Sequence, residues 1–128
     1  MINMFKKFFS WFFSLFVKSE PKPCESYFQK LADESPEKLE LYIRKTYLNP
    51  SQLTFAIEIL GDTCSYQIAD RTIIPMLWHE SPIVREGAVY GLRRFITNPT
   101  VSECLNSILK ADPSPGVRQV IKDMLSDL

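Results

Sequence analysis

With 128 residues, 45% of them hydrophobic, the chain suits one compact domain able to bury a core. Fifteen basic and fifteen acidic side chains cancel overall, yet residues 1–23 hold four lysines against Glu20 alone. The remaining body, with 11 basic and 14 acidic residues, lacks the basic footprint that general nucleic-acid binding needs.

The chain opens with an aromatic-rich stretch, residues 1–18. At about 100° per residue, Asn3, Lys6, Lys7, Ser10, Ser14 and Lys18 share one arc of about 120°. Phe5, Phe8, Phe9, Trp11, Phe12, Phe13, Leu15 and Phe16 cover the rest. So wide an apolar face on a short helix fits the membrane interface, with Lys6, Lys7 and Lys18 towards anionic headgroups. The expected membrane contacts are therefore Phe5, Lys6, Lys7, Phe8, Phe9, Trp11, Phe12, Phe13, Phe16 and Lys18. Three alternatives stay open. A spanning helix or uncleaved signal anchor needs about 20 apolar residues, and residues 8–17 supply ten. A cleaved signal lacks a small-x-small site here. In the third alternative the helix packs on protein or on a second copy.

Residues 19–24, with Pro21 and Pro23, form a semi-rigid linker. The body, residues 25–128, then reads as helix after helix. Residues 25–33 make a short helix with Phe28 and Leu31 on one side. Ser35-Pro36, Asn49-Pro50, Ser81-Pro82, Asn98-Pro99 and Ser114-Pro115 each place a capping side chain before a proline at the first helical position. Near 62–65 that start is missing; Gly61 is expected to end one helix and Asp62 or Thr63 to cap the next. The expected helices pair as 36–48 with 50–60, 65–79 with 82–96, and 99–111 with 115–126, short turns making neighbours antiparallel. Pro75 should kink the helix that contains it. Cys24, Cys64 and Cys104 are far apart in the chain, without metal or redox spacing, and read as free thiols of a reducing compartment.

The second helices repeat. Ser81-Pro82-Ile83-Val84-Arg85 returns further on as Ser114-Pro115-Gly116-Val117-Arg118. Val84, Gly87, Ala88, Gly91 and Leu92 match Val117, Val120, Ile121, Met124 and Leu125, one apolar helical stripe in each copy. A fainter copy puts Phe55, Ala56, Ile59 and Leu60 on the inward stripe, with Leu53 in place of the arginine. Recurrence at a period of about 33 residues indicates a helical solenoid. Over residues 34–127 the pattern resembles the HEAT-repeat family, through its Val-Arg at the second helix and its proline-bearing first helix. The resemblance implies an all-α fold, a short right-handed α-solenoid of about three antiparallel helix pairs, preceded by the amphipathic N-terminal helix. It also implies that Arg85 and Arg118 are structural, bridging neighbouring repeats.

No catalytic, cofactor or metal site is legible. His79 is a lone histidine at a helix end, where a cation is favourable in its own right. Glu37 with Glu40, and Asp123 with Asp127, read as solvated faces without a ligand-rich metal pattern. Gly87, Ala88 and Gly91 read as close helix approach. Thr54, Ile57 and Glu58 are expected to point outwards from the first copy. Outward positions of the other copies, Glu86, Tyr90, Arg93, Arg94, Gln119 and Lys122, have residue types found at interface hot spots and form the expected partner-binding face. The expected function is a non-enzymatic protein-binding adaptor or scaffold, peripherally attached to the cytoplasmic face of a membrane by its N-terminal helix, with no nucleic-acid partner. One alternative is a structural subunit whose N-terminal helix drives homo-oligomerisation or docking in a membrane complex. Another is an enzyme similar to the HEAT-like DNA glycosylases, which would depend on Arg93 and Arg94.

Overall fold

A computed structural model describes residues 21–128, so the expected N-terminal amphipathic helix and the expected membrane contacts lie outside the described residues. Every regular element among the described residues is helical. They are α1 (Glu25–Glu34), α2 (Pro36–Lys45), α3 (Pro50–Thr63), α4 (Tyr66–Ile68), α5 (Pro82–Gly91), α6 (Pro99–Ala111) and α7 (Pro115–Ser126). The short α4 runs on through a π-helical turn, Ala69–Ile73, and a 3-10 turn, Ile74–Trp78. A second 3-10 turn, Arg93–Phe95, follows α5.

The five expected prolines all stand in the first helical turn. Their partners divide, however. Asn49 makes a reciprocal box with Gln52, its Oδ1 accepting from the Gln52 N–H at 2.9 Å. Asn98 caps the N–H groups of Thr100 and Val101, and Ser114 Oγ accepts from the Val117 N–H. Ser35 and Ser81 make no cap bond with their side chains; the Ser35 hydroxyl donates to Glu37 instead. At Pro75 the ladder leaves α geometry, as a ring without an N–H requires. The Ile74 N–H reaches back five residues to the Ala69 carbonyl.

Helices α1, α3, α5 and α7 pack in that succession, each on the next. Helix α2 lies against α1 and α3, the 66–78 segment against α3 and α5, and α6 against α7 and the 3-10 turn. Between them run Leu39, Leu60, Ile73, Leu77, Leu92, Leu105 and Ile121, all fully buried. The predicted stripe of α5 is buried throughout: Val84, Gly87, Ala88, Gly91 and Leu92.

Two local expectations for α3 are corrected. Gly61 does not end the helix, which continues to Thr63; Ser65, not Asp62 or Thr63, caps the following turn through the Ile68 N–H. Gly61 is where α3 crosses α5. A Cβ there would lie 2.0 Å from the Gly91 carbonyl oxygen, so the missing side chain sets the approach. Ile57, expected outside, is fully buried against Gly91, while Phe55, expected inside, is 47% exposed. The reason is that α3 has neighbours in α1, α2 and α5. Its buried arc is wider than one stripe and is turned towards α5.

Candidate functional site

Two ion pairs with a buried carboxylate join segments that are distant in the chain. Arg85 extends from α5 to the turn before α7. Its Nε and Nη2 donate to the two carboxylate oxygens of Asp112 at 2.8 and 3.2 Å. Its Nη1 donates to the His79 and Glu80 carbonyls at 2.8 and 3.1 Å. Asp112 also accepts from the Ser114 N–H at 2.9 Å, and both charged side chains are largely buried. Such two-pronged, charge-assisted geometry is strong and directional. Arg118, at the matching place in the next repeat, keeps the equivalent of the carbonyl contact, its Nη1 donating to Asp112 O at 2.6 Å. His79 occupies the position of Asp112 in the preceding pair and takes part of its role. Its Nδ1 accepts from the Ser81 N–H at 3.0 Å.

A second link joins α2 to the π-turn. Glu40, read as solvated from the sequence, is buried. Arg71 grips it with Nε and Nη2 at 2.8 and 2.7 Å, the Thr72 hydroxyl donates to the same carboxylate, and Arg44 bonds the Thr72 hydroxyl. The Arg71 guanidinium foremost, then the Thr72 hydroxyl, holds the Glu40 carboxyl down to about 2 from the ordinary 4.5. A depressed carboxylate stabilises the fold above its unfolded value and loses that contribution as pH falls. The loss should therefore run from about pH 4.5 down to about 2. Its size should be about 2 kcal/mol, since Arg71 is half exposed and solvent screens it. Urea midpoints of the wild type and of Glu40→Gln, measured from pH 6 to pH 2.5, should converge as pH falls; parallel curves would refute the assignment.

The face expected to bind a partner is only partly assembled. Tyr90 and Arg93 line a surface groove of about 330 Å³ with Ile96, Val120, Met124 and Leu128 and with Asp123 and Asp127. Arg93 also donates to Asp62 at 2.6 Å. Gln119 and Lys122 lie on α7, and Gln119 donates to Asp123 at 2.8 Å. Arg94 does not join this face. Its Nη1 donates to the Gly61 and Cys64 carbonyls at 3.0 Å each, capping the α3 C-terminus, and its guanidinium lies over Phe95. Glu86 turns towards Gly116 at the start of α7.

Sequence reasoning missed Asp112, Glu40 and Asp62. For Asp112 a signal existed: it stands six residues before Arg118, as His79 stands six before Arg85. For Glu40 none existed, because its partners Arg71 and Thr72 are 31 and 32 residues away.

The cysteines are unpaired thiols, Cys24 exposed and Cys64 buried, the latter pushed up to about 11 by burial. Among the described residues no three His, Cys, Asp or Glu side chains gather as a metal site, and no helix is long and apolar enough to cross a membrane. Compared with protein-family models, with curated proteins and with solved structures, the chain has no significant match.

Proposed function

We propose that the chain is a non-enzymatic protein-binding adaptor built as a short, right-handed, HEAT-like solenoid and attached peripherally to the cytoplasmic face of a membrane by residues 1–18. The observation that carries the reading is the groove beside Tyr90 and Arg93. It combines an exposed tyrosine and arginine with the apolar side chains of Ile96, Val120 and Met124, and tyrosine and arginine are enriched at interface hot spots. Support for a solenoid comes from the succession α1, α3, α5, α7 and from the Arg85–Asp112 link between pairs. Arg94 is committed to carbonyls and Arg93 is paired with Asp62, which weighs against a glycosylase-like DNA surface.

Membrane attachment rests on the N-terminal stretch, whose aromatic area and lysines add up in binding anionic lipid. Co-sedimentation of the full chain with vesicles of neutral and of anionic lipid tests it. Binding should be stronger on anionic vesicles, and Phe9→Asp with Phe12→Asp should reduce it at least tenfold, about 1.4 kcal/mol or more. If the double variant binds as well as the wild type, the anchor is wrong. If neither binds and the full chain forms a defined oligomer, residues 1–18 are an assembly element.

A further inference from the structure

The outer side of α1 and α2 carries a groove that nothing among the described residues fills. Its volume is about 460 Å³. Its lining joins Tyr27 and Leu31 from α1 and Leu41 and Tyr42 from α2 with Lys38, Lys45 and Thr46. Leu41 is 51% exposed and adds apolar surface to the groove. The two tyrosine rings already meet edge to face, with centroids 5.3 Å apart. Pro21, where the chain enters the described region, is itself part of the wall.

The spacing of the helices says what belongs there. First helices of successive pairs begin at Pro36, Tyr66 and Pro99, a step close to the period of the sequence repeat. The same step back from Pro36 reaches residues 3–6, the start of the aromatic stretch. Helix α1 packs on α3 as α3 packs on α5, and so stands where the second helix of an earlier pair would stand. No element among the described residues serves as the first helix of that pair. Residues 1–18, joined to α1 through the segment of Pro21 and Pro23, have the length and the position to supply it. With the arc centred on Phe12 against the groove, the arc of Asn3, Lys6, Lys7, Ser10, Ser14 and Lys18 faces outwards.

We propose that residues 1–18 dock into the α1–α2 groove of their own chain when no membrane is present, as the first helix of a fourth pair, and leave it for anionic lipid. This rests on the repeat reading and deepens the anchor reading above: the same apolar arc has two alternative sites. Charge favours release at a membrane. The groove lining includes Lys45 and Lys38, the latter paired with Glu34 at 3.0 Å, and no carboxylate for Lys6, Lys7 and Lys18, which anionic headgroups attract.

The test uses the full chain with one tryptophan. Trp11→Phe and Trp78→Phe with Phe12→Trp puts the only indole at the centre of the apolar arc. Without lipid its emission should be blue-shifted and shielded from acrylamide, and both should be independent of protein concentration. Leu41→Asp, or Leu41→Lys as a second choice, should shift the docking equilibrium about tenfold towards exposure with the far-UV circular dichroism otherwise kept. An exposed indole without lipid overturns the proposal. So does shielding that ignores both Leu41 variants, or that is lost on dilution, which would mean burial between copies. Vesicles of anionic phosphatidylglycerol separate the two readings. Shielding without lipid but no vesicle binding keeps the dock and removes the anchor; vesicle binding with an exposed indole beforehand does the reverse.

Discussion

Asp112→Ala should lower the stability of the fold by about 3–4 kcal/mol, the range for removing one partner of a buried ion pair. The loss has two parts. Arg85 keeps its charge in a pocket where it is only 12% exposed, and the Ser114 N–H loses the acceptor that ties the turn into α7. A shift of the urea midpoint without a change in slope is the expected signature. Asp112→Asn, which still accepts from Ser114, should lose less. Arg85→Met combined with Asp112→Ala should recover part of the loss, because no charge is then left unpaired. Arg118→Met is the built-in comparison. Arg118 makes one carbonyl bond, so its removal should cost about 1 kcal/mol. Equal losses at Arg85 and Arg118 would mean that the link between pairs contributes nothing special.

Gly61→Ala should be nearly as damaging, about 3 kcal/mol, although alanine is the better helix former by about 1 kcal/mol. The new Cβ would lie 2.0 Å from the Gly91 oxygen and 2.5 Å from its Cα. Both are backbone atoms of a buried helix, and no side-chain rotation relieves them. Either α3 moves off α5, opening the core around Ile57 and Ile73, or the strain stays. Gly116→Ala shows the contrast. Its nearest neighbour is Glu86 Oε1, the end of a flexible side chain that can swing away. That change should be neutral within about 0.5 kcal/mol. Thermal midpoints of the two variants decide the matter, and a Gly61→Ala protein as stable as Gly116→Ala would contradict the crossing geometry.

Much of the helix placement was legible because its causes are local. A proline without an N–H is acceptable only in the first helical turn, and five of the seven helices among the described residues begin on one. The apolar stripe of α5 is a matter of side-chain spacing, and each residue assigned to it is buried. The α3 register failed for the opposite reason. Its pattern admits several arcs, and neighbours on three sides chose the one that buries Ile57 and exposes Phe55.

The candidate binding face was legible in its residue types but not in their partners. Tyr90 and Arg93 come together with the apolar side chains of α7, whereas Arg94, adjacent in sequence, points one helix back to the Gly61 and Cys64 carbonyls. In the 3-10 turn that holds both, consecutive residues diverge by about 120°. One arginine can therefore face solvent while the next caps a neighbour, and the sequence alone treats them alike.

Residue order by itself determined the all-helical class of the described residues, the five helix starts at Ser-Pro and Asn-Pro, the break at Pro75 and the recurrence of Ser-Pro and Val-Arg. Each of these follows from interactions between close neighbours in the chain or from a period that can be counted. Only the tertiary structure decided that Glu40 is buried under Arg71 and Thr72, that Asp112 receives Arg85, and that Gly61 is a crossing point instead of a helix end. Those roles depend on atoms of other helices, distant in the chain. Burial, not residue type, turns a carboxylate into a link or a glycine into a contact.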